Sequence, residues 1–400
     1  MAPLRQPDSS RRLVVELAAA ALARLVLNTT RRFAYPFAPA LARGLDVPLT
    51  HVTSLVALNQ GAGLLSPILG PMADRWGPRA MMLVGLGSLA TGMLAAAALP
   101  FYATVLLALA LAGVGKSCFD PAVQAYVGAR VRWERRGQAV GLMEFGWAGS
   151  SLIGIPVVGW LIQRHGWRSP FPLLGALALA CLVLLALLLP RVHVAKTAPA
   201  RAPSVTASWK LLLRRRPALG ALGYSVCFSM ANDTLFVVYG AWLERDFHLP
   251  LAALGGATMA IGAAELLAEL LTALMSDRIG IARAAVGGVA LTAIAYFAMP
   301  AVAHTLPRAL AALFVVFLAF EFTVVTALSL ITELLPDARG TMMGALGATS
   351  STGRMLGALS GGYVWLWGGL TAVACLAGMW SLLALASLLW GLRGWHPRTV

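Results

Sequence analysis

The chain has 400 residues, 59% of them hydrophobic and 12% charged, with 31 Lys and Arg against 16 Asp and Glu. A soluble domain carries about 25% charged residues, so the composition excludes an ordinary soluble enzyme or binding module and describes a membrane protein. The net charge of +15 is not a nucleic-acid signature, because the basic residues gather in tails and alternate connectors, as the positive-inside rule requires.

Residues 1–12 are polar and basic (Arg5, Arg11, Arg12) and are expected to stay in the cytoplasm. The apolar run after them carries Glu16 and Arg24 and lacks a small-residue cleavage site, so it reads as a retained span and not a cleaved signal. About 20 apolar residues cross a bilayer. On that ruler twelve spans fall near 20–43, 50–71, 79–99, 103–127, 138–162, 169–190, 218–241, 251–274, 283–302, 308–333, 341–364 and 369–391. An even number puts both termini on the basic side, the cytoplasmic face of an inner or plasma membrane. The longest connector, 191–217, contains Arg191, Lys196, Arg201, Lys210, Arg214, Arg215 and Arg216. It divides an N-terminal six-helix bundle (1–190) from a C-terminal one (218–400). Its segment Ser208–Leu213 fits a short surface helix; a plain solvated tether is the alternative.

Two matches at one spacing indicate duplicated halves. Gly70-Pro71-Met72-Ala73-Asp74-Arg75-Trp76-Gly77-Pro78-Arg79 is echoed at Ala273-Leu274-Met275-Ser276-Asp277-Arg278-Ile279-Gly280, 203 residues on. Arg136-Gly137-Gln138-Ala139-Val140-Gly141 recurs as Arg339-Gly340-Thr341-Met342-Met343-Gly344 at the same offset. Repeats of that length suit facing membrane bundles. The small residues of Gly344–Gly347 and Gly357–Gly362 allow close helix approach.

The first loop resembles motif A of the major facilitator superfamily, matching at Gly70, Asp74, Arg75, Gly77 and Arg79. Its echo keeps Asp277, Arg278, Gly280 and Arg283. The resemblance spans residues 20–392 and implies two six-helix bundles, a cavity lined by helices 1, 4, 7 and 10, and a gating role for these loops. Gly146, Gly154, Pro156 and Gly159 resemble part of motif C on helix 5, which implies the antiporter branch of drug and metabolite efflux. Ile155 and Val158 depart from that pattern, and Leu109 stands where the motif B arginine is expected.

An ionisable group at mid-bilayer costs at least ~2.5–3.5 kcal/mol on insertion scales, so each needs a reason. Asn28, Arg31, Arg32 and Tyr35 form a polar stripe on helix 1. Arg31 and Arg32 lie about 100° apart, so one of them points into a cavity, to anchor an anion or to neutralise a carboxylate. Lys116 and Asp120 are four apart and suit an intrahelical pair, structural or proton-coupling, with Gln124 one turn on. Glu144 is a proton site or a cation's partner. Asn232 and Asp233 on helix 7, Glu321 on helix 10 and Arg354 on helix 11 complete the substrate and proton set, with Arg354 expected on one of the carboxylates. Glu265 and Glu269 share a face of helix 8 and read as gate groups or substrate ligands.

Gly115-Lys116-Ser117 looks like the end of a phosphate-binding loop, but Ala110 stands where its first Gly belongs. The sequence holds no HExxH, GxSxG or CxxC pattern, and the four cysteines fall in apolar runs. No cofactor, metal or enzymatic activity is expected. The reading is a monomeric transporter of a small molecule, coupled to protons, with the lipid bilayer as its other partner. Uptake or exchange of an anionic or zwitterionic metabolite is the alternative, and a non-transporting scaffold a third.

Overall fold

The computed structural model describes residues 8–65, 69, 72, 76–131, 136–190, 205–335 and 339–394. Among these the chain is helical, with no strand. The first half comprises α1 (Asp8–Arg32), α2 (Ala38–Leu45), α3 (Leu49–Gly61, extended by a 3₁₀ turn Ala62–Leu65), α4 (Pro78–Ala98), α5 (Tyr102–Arg130), α6 (Arg136–Gly149), a wide π turn Ser150–Gly154, α7 (Ile155–His165) and α8 (Pro170–Leu188). The second comprises α9 (Val205–Arg214), α10 (Arg216–Phe236), α11 (Tyr239–Phe247), α12 (Leu251–Ile279), α13 (Ile281–Val302), α14 (Leu306–Leu334) and α15 (Arg339–Leu392). Prolines stand in the first turns of α2, α4, α7, α8, α10 and α14, where a fixed φ and a missing N–H cost nothing.

Among the described residues ten stretches are long and apolar enough to cross a membrane. The last, Gly340–Leu392, is two helices, because Gly368 and Gly369 leave helical geometry and Gly369 turns at φ 57°. The described part of α3 falls short of a full span. The count is consistent with twelve.

The duplication is written into the backbone. Left-handed residues recur as Gly77 (φ 82°) and Gly280 (φ 91°), and as Gly166 (φ 82°) and Gly369 (φ 57°). Asp46 (φ 54°) and His248 (φ 51°) end α2 and α11 alike. The first crossing of each half is interrupted at the same depth, after Arg32 and after Phe236. In the first half Pro36 explains the break, since it lacks an N–H and disfavours helix at Tyr35. In the second no proline is present, and Val237 and Val238 close the turn on the Asp233 and Leu235 carbonyls.

This break corrects the sequence reading of the first span. The apolar stretch runs Arg12–Arg32, about two to three helical turns closer to the N-terminus than expected, so Glu16 lies inside the fold and fully buried. Arg12, Arg130 and the Tyr126 hydroxyl surround it, and burial of a satisfied carboxylate is what made the segment look too polar to start a span. The Ser208–Leu213 segment falls within α9, whose Leu212 is buried.

Close backbone packing joins the elements. A methyl added at Gly353, Gly357 or Gly361 of α15 would meet the carbonyls of Val226, Met230 and Thr234 on α10; these four-residue ladders interlock as small residues permit. Gly344 and Gly347 have open space beside them, so packing does not account for them. The halves meet mainly at the end opposite the termini: Gly240 abuts the Pro36 carbonyl, Gly362 abuts Thr53, and Gly159 abuts the Leu251 carbonyl.

Candidate functional site

The broken end of α1 places Arg31 and Arg32 at a helix C-terminus, where the helix dipole favours cations. They turn to different partners. Arg32 Nη2 donates to Glu265 Oε1 at 2.6 Å and Nη1 to Oε2 at 3.3 Å, a two-pronged pair between the halves with both side chains buried. Ser151 donates to the same carboxylate at 3.2 Å, and Arg32 reaches Ser150 Oγ at 3.4 Å. Both serines come from the π turn, a feature that tends to mark functional sites. The guanidinium also lies 4.5 Å from the Trp147 ring centre.

Arg31 has no carboxylate partner among the described residues. It donates to Asn59 Oδ1 at 2.9 Å and to Gln60 Oε1. Gln60 Nε2 donates to the Tyr35 hydroxyl, which donates at 2.7 Å to Asp233 Oδ1 of the other half. Asp233 is fully buried; Asn232 and Arg354 Nη1 reach its second oxygen, each at 3.3 Å. A relay Arg31–Gln60–Tyr35–Asp233–Arg354 thus crosses the interface.

A second cluster lies wholly in the first half. Lys116 Nζ pairs with Asp120 Oδ2 at 2.6 Å and donates to Asn28 Oδ1 at 2.9 Å. Arg24 pairs with Glu144 at 3.0 Å and Asp120 at 3.5 Å and donates to the Met143 carbonyl at 2.6 Å. Asn28 in turn donates to the Gly146 carbonyl.

Beside the relay is a cavity of about 320 Å³. Ser225, Phe228 and Ser229 of α10, Val324 and Leu328 of α14, and Leu346 and Ser350 of α15 form its walls, Gln124 its first-half edge, and Arg354 its charged contact. Gln124, Leu328 and Gly347 at its rim are exposed. Among the described residues, every hydrogen bond or ion pair between the halves lies at the level of Arg32, Asp233 and Glu265 or beyond it, toward the end away from the termini. These are Arg32–Glu265, Ser151–Glu265, Tyr35–Asp233, Gln163 to the Ala252 N–H, and Arg43–Glu244. Among the described residues the halves are therefore bonded to each other at this level and toward the far end, and the cavity has an exposed rim at Gln124, Leu328 and Gly347.

Most of the sequence-derived set therefore converges. Arg31, Tyr35, Asn232, Asp233 and Arg354 share the relay, Arg32 and Glu265 form the pair beside it, Asn28, Lys116, Asp120 and Glu144 belong to the first-half cluster, and Gln124 lines the cavity. Arg354 takes Asp233 as its carboxylate. Glu265, read as a gate group or ligand, is Arg32's partner. Glu321 and Glu269 are half-buried with no hydrogen bond or ion pair among the described residues; Glu265 is a charged neighbour of both. Of the loop residues, Gly77 caps α4, Arg79 donates to the Ala186 carbonyl at 2.5 Å, and Arg278 is exposed. Gly70, Asp74, Arg75 and the side chain of Asp277 lie outside the described residues. Sequence reasoning missed Arg24, Asn59, Gln60, Trp147, Ser150 and Ser151 as site residues. Arg24 stands one turn before Asn28, and Asn59-Gln60 interrupts a span, so two of these signals were present.

Residues 20–239 and 221–399 match the family model described as Major Facilitator Superfamily. The chain belongs to this superfamily. An uncharacterised MFS-type transporter of Bacillus subtilis, YceJ, is 26% identical over 76% of this chain and 77% of its own length. Human monocarboxylate transporter 11 is 34% identical over 55% of this chain and 47% of its own. A crystal structure of a bacterial homolog of the human lysosomal transporter Spinster, inward-facing and unoccupied, superposes with TM-score 0.73 at 14% identity, covering 98% of this chain and 96% of that one. The fold is thus the all-α major facilitator fold of two pseudo-symmetric bundles, and the protein is a multi-pass membrane transporter.

Proposed function

We propose that this major facilitator exports a small molecule by proton-coupled alternating access. Bundles 1–190 and 218–400, joined by 191–217, rock about the central network in a monomer of the cell membrane, with both termini in the cytoplasm. The basic termini and connectors support that orientation. The observation that carries the reading is the pair of cross-half contacts, Arg32–Glu265 and Tyr35–Asp233, beside a cavity whose rim is exposed at Gln124, Leu328 and Gly347. Protonating either carboxylate removes the charge that holds the halves together, and so biases which side opens. The glycines of the motif C-like stretch support the antiport branch: Gly154 abuts Thr29 of α1 and Gly159 meets Gly255 of α12 where the far end closes.

In proteoliposomes an imposed pH gradient is expected to drive substrate movement, and Asp233→Asn and Glu265→Gln to uncouple it. Transport indifferent to the gradient and to both substitutions overturns the coupling. A second reading, uptake or exchange of an anionic or zwitterionic metabolite, draws on Arg31, whose hydrogen bonds go only to amides and leave its charge available. Under it Arg31→Ala abolishes anion transport whichever way the gradient runs.

A further inference from the structure

The cavity carries more chemistry than the transport reading uses. Among the described residues lining it, Arg354 is the one charged side chain. Its side chain is 20% exposed and one of its nitrogens reaches Asp233 at 3.3 Å. A guanidinium has five N–H donors, so several remain for a ligand. Asp233 is fully buried and does not itself line the cavity. The remaining surface is apolar, relieved by hydroxyls. Ser229 and Ser350 already bond each other at 2.8 Å, and Ser225 donates to the Leu346 carbonyl.

One wall is aromatic. Tyr224 and Phe228 stack at 5.2 Å and 23°, and Phe228 stacks on Phe320 at 4.7 Å and 18°. Both Tyr224 and Phe228 line the cavity. Tyr224 is 4% and Phe228 2% exposed, so their faces are taken up by one another and by Phe320; only ring edges border the cavity, against which the face of a flat ligand packs edge to face. The volume, about 320 Å³, lies at the small end of the range for ligand sites.

Resting on the transport reading, we propose that the cavity takes a small aromatic monoanion, its acid group on Arg354 and its ring against Tyr224 and Phe228. This places the anion anchor on α15 and not on the arginines of α1, since Arg32 is paired with Glu265 and neither Arg31 nor Arg32 lines the cavity. The ion pair with Asp233 orients the guanidinium without closing it off.

The test is binding, measured by isothermal titration on the full-length protein in detergent with three probes: phenylacetate, its neutral amide phenylacetamide, and the cation benzylamine. Phenylacetate is expected to bind about tenfold or more tightly than either of the others, as a charge-assisted hydrogen bond implies. Arg354→Gln alone would strand Asp233, so the decisive variant is Arg354→Gln with Asp233→Asn, which is expected to bind acid and amide equally. Phe228→Leu is expected to weaken phenylacetate about fivefold, the worth of an aromatic pair. Equal binding of the three probes, a preference for benzylamine, or retained acid preference in the double variant overturns the proposal. Binding needs neither a gradient nor turnover. Selective phenylacetate binding without gradient-driven flux therefore upholds the proposal and sinks coupling, whereas gradient-driven export of a cation does the reverse.

Discussion

The two halves neutralise their buried charges in different ways. In the first half Arg24, Lys116, Asp120 and Glu144 satisfy one another, and every partner comes from the same half. In the second, Glu265 finds its cation, among the described residues, only in Arg32, and Asp233 takes Tyr35 beside its own Arg354. A movement that parts the halves leaves the first cluster whole, strips Glu265 of Arg32 and takes the Tyr35 hydroxyl from Asp233, which keeps Arg354. Such groups then require protons, ligand or water, so the second half is where coupling is to be sought.

The sharpest way to break this contrast is Arg32→Ala. It strands Glu265 and is expected to cost about 3–5 kcal/mol in thermal unfolding of the purified protein, with transport lost. Arg32→Met combined with Glu265→Leu is expected to restore the melting temperature but not transport. Wild-type flux in that double variant would make the pair merely structural. Next, Tyr35→Phe removes the donor to Asp233 and the acceptor of Gln60, for a loss of about 1–3 kcal/mol in the same melt. Lys116→Gln is milder, about 1.5 kcal/mol, because Asp120 keeps Arg24, and gradient-driven flux is expected to persist; its loss would spread coupling to both halves. Smallest is Arg43→Gln at the exposed far-end pair with Glu244, about 0.2–1 kcal/mol. Its effect is expected in faster thiol labelling of Ala241→Cys from the far side.

Much of the architecture was legible because apolar length and glycine turns are local signals. The offset of 203 residues pairs Gly77 with Gly280 in the sequence, and the backbone adds Gly166 and Gly369 at the same offset. The Lys116–Asp120 pair was legible for the same reason, since four residues of helix fix the distance. The Arg32–Glu265 pair was not, because helix rotation about two distant axes chooses partners 233 residues apart. Arg24 was overlooked because the expected span began at residue 20 and set it near the membrane edge, whereas the apolar stretch begins at Arg12. Its buried Glu16 is matched by Arg130, a partner that a sliding window cannot see. Ser150 and Ser151 gained their role from a π turn, which leaves no mark in composition.

At Pro36 and Gly240 main chain rests on main chain, with no side chain between to change rotamer and absorb a partial displacement. Such a contact is kept or lost whole. Opening of the far end is therefore expected to occur as a jump between two discrete levels in single-molecule distance recordings, and Gly240→Ala, by wedging that seam, to bias the dwell times toward the outward level.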